Sequence, residues 1–259
     1  YSEFPQHFPA SGWVEHDPNE IWAATLNSVK QVLESSAIAE HGAPTAVGIT
    51  DQRETIVLWD RETLGSARMA IVWQDRRTAG FCDQLKADGH EDRVRELTGL
   101  RLDPYFSATK LSWIKKQEPN VWAGVESGRT AIGTIDSYLI ARMTRGVTHV
   151  TDASNASRTL LFDISTGEWS QELCDLFGVP IEALPEVVPS YGQVGTTDPA
   201  SFAGLELPIA GIAGDQQAAL FGQACFEVGS SKCTYGTGSF VLVNTGDKIV
   251  RSDAGLLST

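Results

Sequence analysis

The chain has 259 residues, a formal net charge of −13, 42% hydrophobic residues and 20% charged ones. This is globular composition, with apolar material enough for one large domain or one plus part of a second. The acidic balance repels a phosphate backbone and so excludes nucleic acid as an expected partner, and no stretch reaches the roughly 20 apolar residues needed for membrane insertion.

Residues 1–6 carry neither a basic start nor an apolar core, so no secretory signal is read there. Cys82, Cys174, Cys225 and Cys233 lie far apart without a Cys-x-x-Cys spacing, which reads as reduced thiols of a cytoplasmic protein. The five histidines are isolated from one another and from the cysteines, so no protein-only metal site is expected.

In chain order, Asp17-Pro18-Asn19-Glu20 combines an Asp cap, a first-turn proline and a Glu three residues after the cap. That predicts a helix of about five turns, with Ile21, Thr25, Val29 and Val32 on its apolar stripe and Ser35-Ser36 as its stop. Apolar runs over 45–50, 55–59 and 70–73 predict strands, the first two separated by a polar insert. Helical periodicity covers 76–88, 91–98, 109–117 and 134–143, and strand patterns cover 147–151, 158–162 and 207–213. A helix over 215–222 follows, then a hairpin of 231–235 with 240–244 around Gly236-Thr237-Gly238. Alternating strands and helices predict a mixed α/β layered fold. The Pro-rich segment 180–208 reads as surface connection. A boundary is placed near 222–229, giving domains 1–223 and 224–259, because an isolated terminal hairpin is marginally stable and needs more chain to lean on.

Several residues invite chemistry. Asp215, in Gly214-Asp215-Gln216-Gln217, ends an apolar strand and opens a helix, so it is either a helix cap or a base at the ligand-binding end of a sheet. Gln52-Arg53-Glu54 is either a solvated turn with a surface ion pair or a donor and acceptor set suited to hydroxyl groups. Trp59, Trp73, Trp113, Tyr105 and Phe240 are core aromatics unless a site recruits them, and Trp73 precedes the charged run Gln74-Asp75-Arg76-Arg77. Gly236-Thr237-Gly238 is a tight turn or, in company, a phosphate cradle. The P-loop sequence is absent.

Tyr105-Phe106-Ser107-Ala108-Thr109-Lys110-Leu111-Ser112-Trp113-Ile114-Lys115-Lys116-Gln117 resembles the first signature of the FGGY carbohydrate kinases. Gly12-Trp13-Val14-Glu15-His16-Asp17-Pro18, Gly48-Ile49-Thr50-Asp51-Gln52-Arg53-Glu54-Thr55, Ile71-Val72-Trp73-Gln74-Asp75-Arg76-Arg77-Thr78, Asn155-Ala156-Ser157-Arg158-Thr159, 211–221 and 234–240 resemble the glycerol kinases within that family. The resemblance implies an actin-like, ribonuclease H-like ATPase fold, a mixed sheet flanked by helices, with substrate and ATP between two domains. It implies Mg²⁺-dependent transfer of phosphoryl from ATP to glycerol, in a cytoplasmic homo-oligomer, dimer or tetramer. By motif, Asp215 is the base; Gln52, Arg53, Glu54, Tyr105, Asp215 and Gln216 hold the polyol; Trp73 and Phe240 cover its carbon edge; and Gly236, Thr237 and Gly238 form a phosphate loop. The family's first strand with its Asp-x-Gly-Thr loop is expected before Tyr1, and its adenine-binding domain after Thr259. This segment alone is therefore expected to turn over little or not at all. No basic glycine-rich loop for a sugar-phosphate inhibitor is read between 191 and 208. The rival readings are an FGGY kinase of a pentulose or gluconate, which Gln52-Arg53-Glu54 argues against, and a polyol-binding domain without catalysis.

Overall fold

Ile56-Val57-Leu58-Trp59 is continuously apolar, as a strand covered on both faces must be. In the computed structural model, which describes residues 1–236 and 238–259, strand Ile56–Asp60 lies inside an antiparallel sheet ordered Glu15–His16, Ala70–Ile71, Ile56–Asp60, Thr130–Thr134. Successive side chains leave a strand on opposite faces. Ile56 and Leu58 therefore enter one apolar cluster, with Leu111, Ile114, Trp122 and Ile132, while Val57 and Trp59 enter a second, with Ile21, Tyr138 and Ile140. Helices Ser107–Gln117 and Pro119–Glu126 cover the first face, Pro18–Leu33 and Ile135–Met143 the second. Each fully buried Ile, Leu or Val contributes about 1.5–3 kcal/mol.

A three-stranded sheet positions the site. Pro208–Gly214 is its centre, antiparallel to Tyr191–Thr196 and parallel to Val47–Asp51, with Gly214 opposite Asp51. Two parallel neighbours ending level deliver the residues that follow them, 52–54 and 215, to one place, the carboxyl edge where open α/β sheets bind ligands. Helix Asp215–Gly222 starts there, and hairpin Ser231–Tyr235 with Ser239–Val243 packs against it.

The first helix starts as its cap predicts: Asp17 Oδ1 accepts the Asn19 N–H at 2.8 Å. Other bounds differ from the sequence reading. The helix predicted over 76–88 is Ala79–Ala87, because the Asp75 carboxylate accepts the backbone N–H groups of Arg77 and Val14 and holds 76–78 in a turn. The strand predicted over 158–162 is mostly turn, with Leu160 at φ 64°, and only Phe162–Asp163 pairs, with Glu168–Trp169. The strand predicted over 147–151 is Val150–Asp152, parallel to Glu186–Val188. That partner and Tyr191–Thr196 lie in the segment read as irregular; the two glycines of Tyr191–Thr196 and its outer position in the sheet leave little apolar pattern to see. The strand read over 70–73 pairs only at Ala70–Ile71, and the second hairpin strand is Ser239–Val243. Among the described residues no helix is long and apolar enough to cross a membrane.

Candidate active site

Beyond Asp51 the chain turns sharply, with Glu54 at φ 63°. This conformation is unfavourable for a side-chain-bearing residue and persists only where neighbours enforce it. Here Ser107 Oγ donates to the Glu54 carbonyl at 3.0 Å and the Thr55 N–H to that of Arg53 at 2.7 Å. Both side chains turn inward: Arg53 is 3% exposed and Glu54 2%, so the solvated-turn reading does not hold. The Glu54 carboxylate receives Arg158 Nε at 2.6 Å and has Arg53 Nε at 3.9 Å. Arg53 then passes over the backbone of Gly214, where a Cβ would stand 2.5 Å from its Cδ. Its Nη1 donates to Gln217 Oε1 at 3.1 Å, and its Nε lies 3.2 Å from Asp215 Oδ1. Arg53 Nε makes no aligned hydrogen bond, so a buried donor stands free beside the carboxylate.

Asp215 is the first residue of its helix, and Gly214 occupies the cap position. Its Oδ1 accepts the Gln216 N–H at 2.8 Å and its Oδ2 the Gln216 side-chain amide at 2.9 Å. The side chain is 46% exposed, open enough for a ligand to reach. Gln216 is buried, and its amide oxygen accepts from Lys232 Nζ, which also donates to Thr234 Oγ1 at 2.8 Å. Burial lowers the Lys232 pKa, and the Asp215 charge opposes that shift.

Aromatic rings gather on another side of Glu54 and Arg158. Trp73 meets Tyr105 edge-on at 5.6 Å between centroids and Phe240 at 6.2 Å. The Arg158 guanidinium lies over the Tyr105 ring at 5.4 Å. Burial, then the Glu54 charge, raise the Tyr105 pKa, so its phenol stays protonated and able to donate. The turn bearing Tyr105 is fastened by Lys110, fully buried, whose Nζ donates to the carbonyls of Pro104, Tyr105 and Phe106 at 2.8, 2.7 and 2.9 Å. Burial pulls the Lys110 pKa down to about 7 against the charges of Glu54 and Asp75. Phe240 rests on Gly238, where a Cβ would come 2.7 Å from the ring.

Arg53, Glu54, Asp215 and Gln216 thus form one connected polar group, and Trp73, Tyr105 and Phe240 one aromatic wall joined to it through Arg158. Gln52 is engaged elsewhere, its amide 3.0 Å from His16 Nδ1. The Gly236 N–H donates to the Gly238 carbonyl at 3.0 Å, within the hairpin turn, and Thr237 lies outside the described residues. Among the described residues no three His, Cys, Asp or Glu side chains are disposed to hold a metal. Mg²⁺ is usually held by one or two carboxylates together with substrate phosphates, a smaller protein share than such a cluster. Arg158, Lys110 and Lys232 were not singled out from the sequence. Lys232 and Thr234 do stand two apart on one strand face, the one local signal that pairs them.

A buried guanidinium–carboxylate set beside an open carboxylate can bind a small polyhydroxylated molecule and take a proton from one of its hydroxyls. Comparison with known proteins is consistent with that chemistry. The sequence family described as "FGGY family of carbohydrate kinases, N-terminal domain" matches residues 1–222. The chain is 55% identical to a glycerol kinase of Methylobacterium nodulans over 100% of its own length and 51% of the relative's. It is 54% identical to a glycerol kinase of a Bradyrhizobium strain, over 99% of the chain and 51% of the relative. The chain therefore spans about half the length of the curated relatives it matches. The crystal structure of Plasmodium falciparum glycerol kinase with ADP superposes with a TM-score of 0.93 at 36% identity, over 99% of the chain and 51% of that structure.

Proposed function

Because the chain belongs to the FGGY family of carbohydrate kinases, we propose that it is the polyol-binding part of an enzyme that phosphorylates glycerol with ATP, giving sn-glycerol 3-phosphate and ADP. The fold is the mixed α/β, actin-like one of these kinases. The observation that carries the reading is the meeting of Asp215 with Arg53 at the level ends of two parallel strands, 3.2 Å apart, one group open and the other buried.

The mechanism follows from those positions. Arg53 and Glu54 offer a donor and an acceptor to the polyol, and Gln216 and Tyr105 add further partners. Trp73 and Phe240 present apolar surface to the carbon chain. Asp215 accepts the proton of the terminal hydroxyl as its oxygen bonds to the γ-phosphorus. The bond from that phosphorus to the β,γ-bridging oxygen breaks, and ADP leaves with the electron pair. In such transfers positioning and electrostatics supply most of the rate, and a carboxylate orients the nucleophile. A Mg²⁺ arriving with the triphosphate would offset its charge. Buried groups left unpaired by a substrate lacking a hydroxyl would give discrimination that can reach about 10⁴-fold. Residues 224–259 begin the nucleotide-side domain, and Gly236, Thr237 and Gly238 serve the phosphates in the longer protein. The match of the family's N-terminal domain to residues 1–222 supports that division.

A panel of glycerol, xylulose and gluconate with ATP and the full-length protein tests the proposal. Glycerol is the expected acceptor, and phosphorylation of xylulose or gluconate without glycerol refutes it. The 259-residue chain alone is expected to bind glycerol weakly and to turn it over little or not at all.

A further inference from the structure

In the strand Ser231–Tyr235, Lys232 is the one buried residue, 3% exposed, between the exposed Ser231 and Cys233. A buried ammonium requires compensation, and it finds it in a neighbouring element: Nζ donates to Gln216 Oε1 on helix Asp215–Gly222 and to Thr234 Oγ1. The chain of contacts continues, since Gln216 Nε2 donates to Asp215 Oδ2 at 2.9 Å.

Donor and acceptor chemistry gives this chain one direction. An ammonium only donates and a carboxylate only accepts, whereas a carboxamide does one at each end. Lys232 therefore fixes the amide with oxygen toward itself and NH₂ toward Asp215. A flipped amide would set its oxygen against the Asp215 carboxylate and its NH₂ against the Lys232 ammonium. Asp215 is half exposed, with no packing on all sides to stop its carboxylate turning. Its Oδ1 accepts the Gln216 backbone N–H, with Arg53 Nε 3.2 Å away, and its Oδ2 accepts the Gln216 side-chain amide.

We infer that Lys232 is a positioning residue for Asp215: acting through the Gln216 carboxamide, it aims the carboxylate at the attacking hydroxyl, so that the base is set only when the Ser231–Tyr235 strand is seated on the helix. The inference rests on the kinase reading for its catalytic consequence, while the amide orientation is independent of that reading. Seating of the hairpin, which carries the proposed phosphate loop, is thereby coupled to orientation of the base. A carboxylate released from this hold spends less time facing the hydroxyl, so the loss falls on the chemical step more than on polyol binding.

The test is a double-mutant cycle in the full-length protein. Lys232→Met is expected to lower kcat for glycerol about 10- to 100-fold, in the range of effects from a small misplacement of reacting groups, with KM for glycerol and for ATP changed less than about threefold. Lys232→Arg, another donor-only side chain, is expected to recover most of the loss. In the Gln216→Ala background, Lys232→Met is expected to add nothing, because the two act as one unit. Additive losses, or a rise in KM for ATP as the main effect, overturn the inference by giving Lys232 a separate role. A readout without turnover accompanies the cycle. The side-chain amide ¹⁵N–¹H signals of Gln216, identified by their loss in Gln216→Ala, should shift in Lys232→Met and return in Lys232→Arg. Unshifted signals overturn the inference even if the protein phosphorylates no glycerol, whereas a wild type inactive on glycerol with shifted signals sinks the kinase reading alone. Should Lys232→Met not fold, by thermal melting, Lys232→Ala, which likewise has no donor, serves in its place under the same outcomes.

Discussion

Gly214→Ala isolates the contact on which the site depends. Gly214 has φ −58° and ψ 147°, a backbone conformation open to any residue, so the substitution introduces no backbone strain. Its whole effect is steric. The new Cβ would stand 2.5 Å from Arg53 Cδ, 2.6 Å from Cγ and 3.2 Å from Gln217 Oε1. Carbon contacts settle near 3.5–4.0 Å, so the Arg53 chain must move by roughly 1 Å. The guanidinium cannot swing into water, being 3% exposed and hemmed by Glu54 and Gln217. The movement therefore falls on the 3.2 Å contact of Nε with Asp215 and on the free Nε donor. Overpacking of this kind costs about 1–3 kcal/mol of stability. A lost hydrogen bond to a charged group costs about 1.5–3 kcal/mol of ligand affinity, which is about 10- to 150-fold in Kd at roughly 1.4 kcal/mol per factor of ten. Calorimetric titration of glycerol, beside a thermal melt, separates the two. A folded variant with wild-type glycerol affinity refutes the placement of Arg53 in the site.

Other substitutions address other parts. Asp215→Asn in the full-length protein is expected to lower kcat about 10²- to 10⁴-fold with little change in KM, the usual span for a general base; steady-state kinetics decide it, and a near-normal kcat returns Asp215 to a helix-terminal role. Arg53→Ala should weaken glycerol binding in the same sense as Gly214→Ala, and unchanged affinity by titration would count against both. Asp51, buried with neither oxygen in a well-formed hydrogen bond, has its pKa raised well above the usual range by burial and by Asp136 and Asp152, and burial raises Asp136 to about 6. The folded state then binds more protons than the unfolded chain above about pH 4, so these groups favour folding at low pH and that stability is lost as pH rises through about 6. Asp51→Asn should therefore melt higher than wild type near pH 8, with the gap closing near pH 5; equal melting temperatures at both would contradict the burial argument.

Elements whose ends carry their own chemistry were legible in the sequence: the Asp17 cap, and the helix that begins where the apolar strand runs into Asp215. Elements held by distant partners were not. Residues 158–162 look like a strand, but Arg158 is drawn inward by Glu54, 104 residues away, and the chain turns instead. Tyr191–Thr196 sends only Val194 onto an apolar cluster and shows no alternation to read. The site divides in the same way. Nothing local to 52–54 or 215 says that they meet, because the meeting arises from the parallel pairing of Val47–Asp51 with Pro208–Gly214; only the family resemblance brought them together beforehand. Lys110, Arg158 and Lys232 are buried basic side chains, and in a sequence a buried lysine or arginine is indistinguishable from the far commoner exposed one.

A crystal structure of the protein with glycerol bound tests the central claim most directly. A terminal glycerol oxygen is expected within about 2.6–3.2 Å of an Asp215 carboxylate oxygen, another hydroxyl on Arg53 or Glu54, and the carbon chain against Trp73 and Phe240. Glycerol held elsewhere, or held here with Asp215 turned to solvent and out of reach, would contradict it.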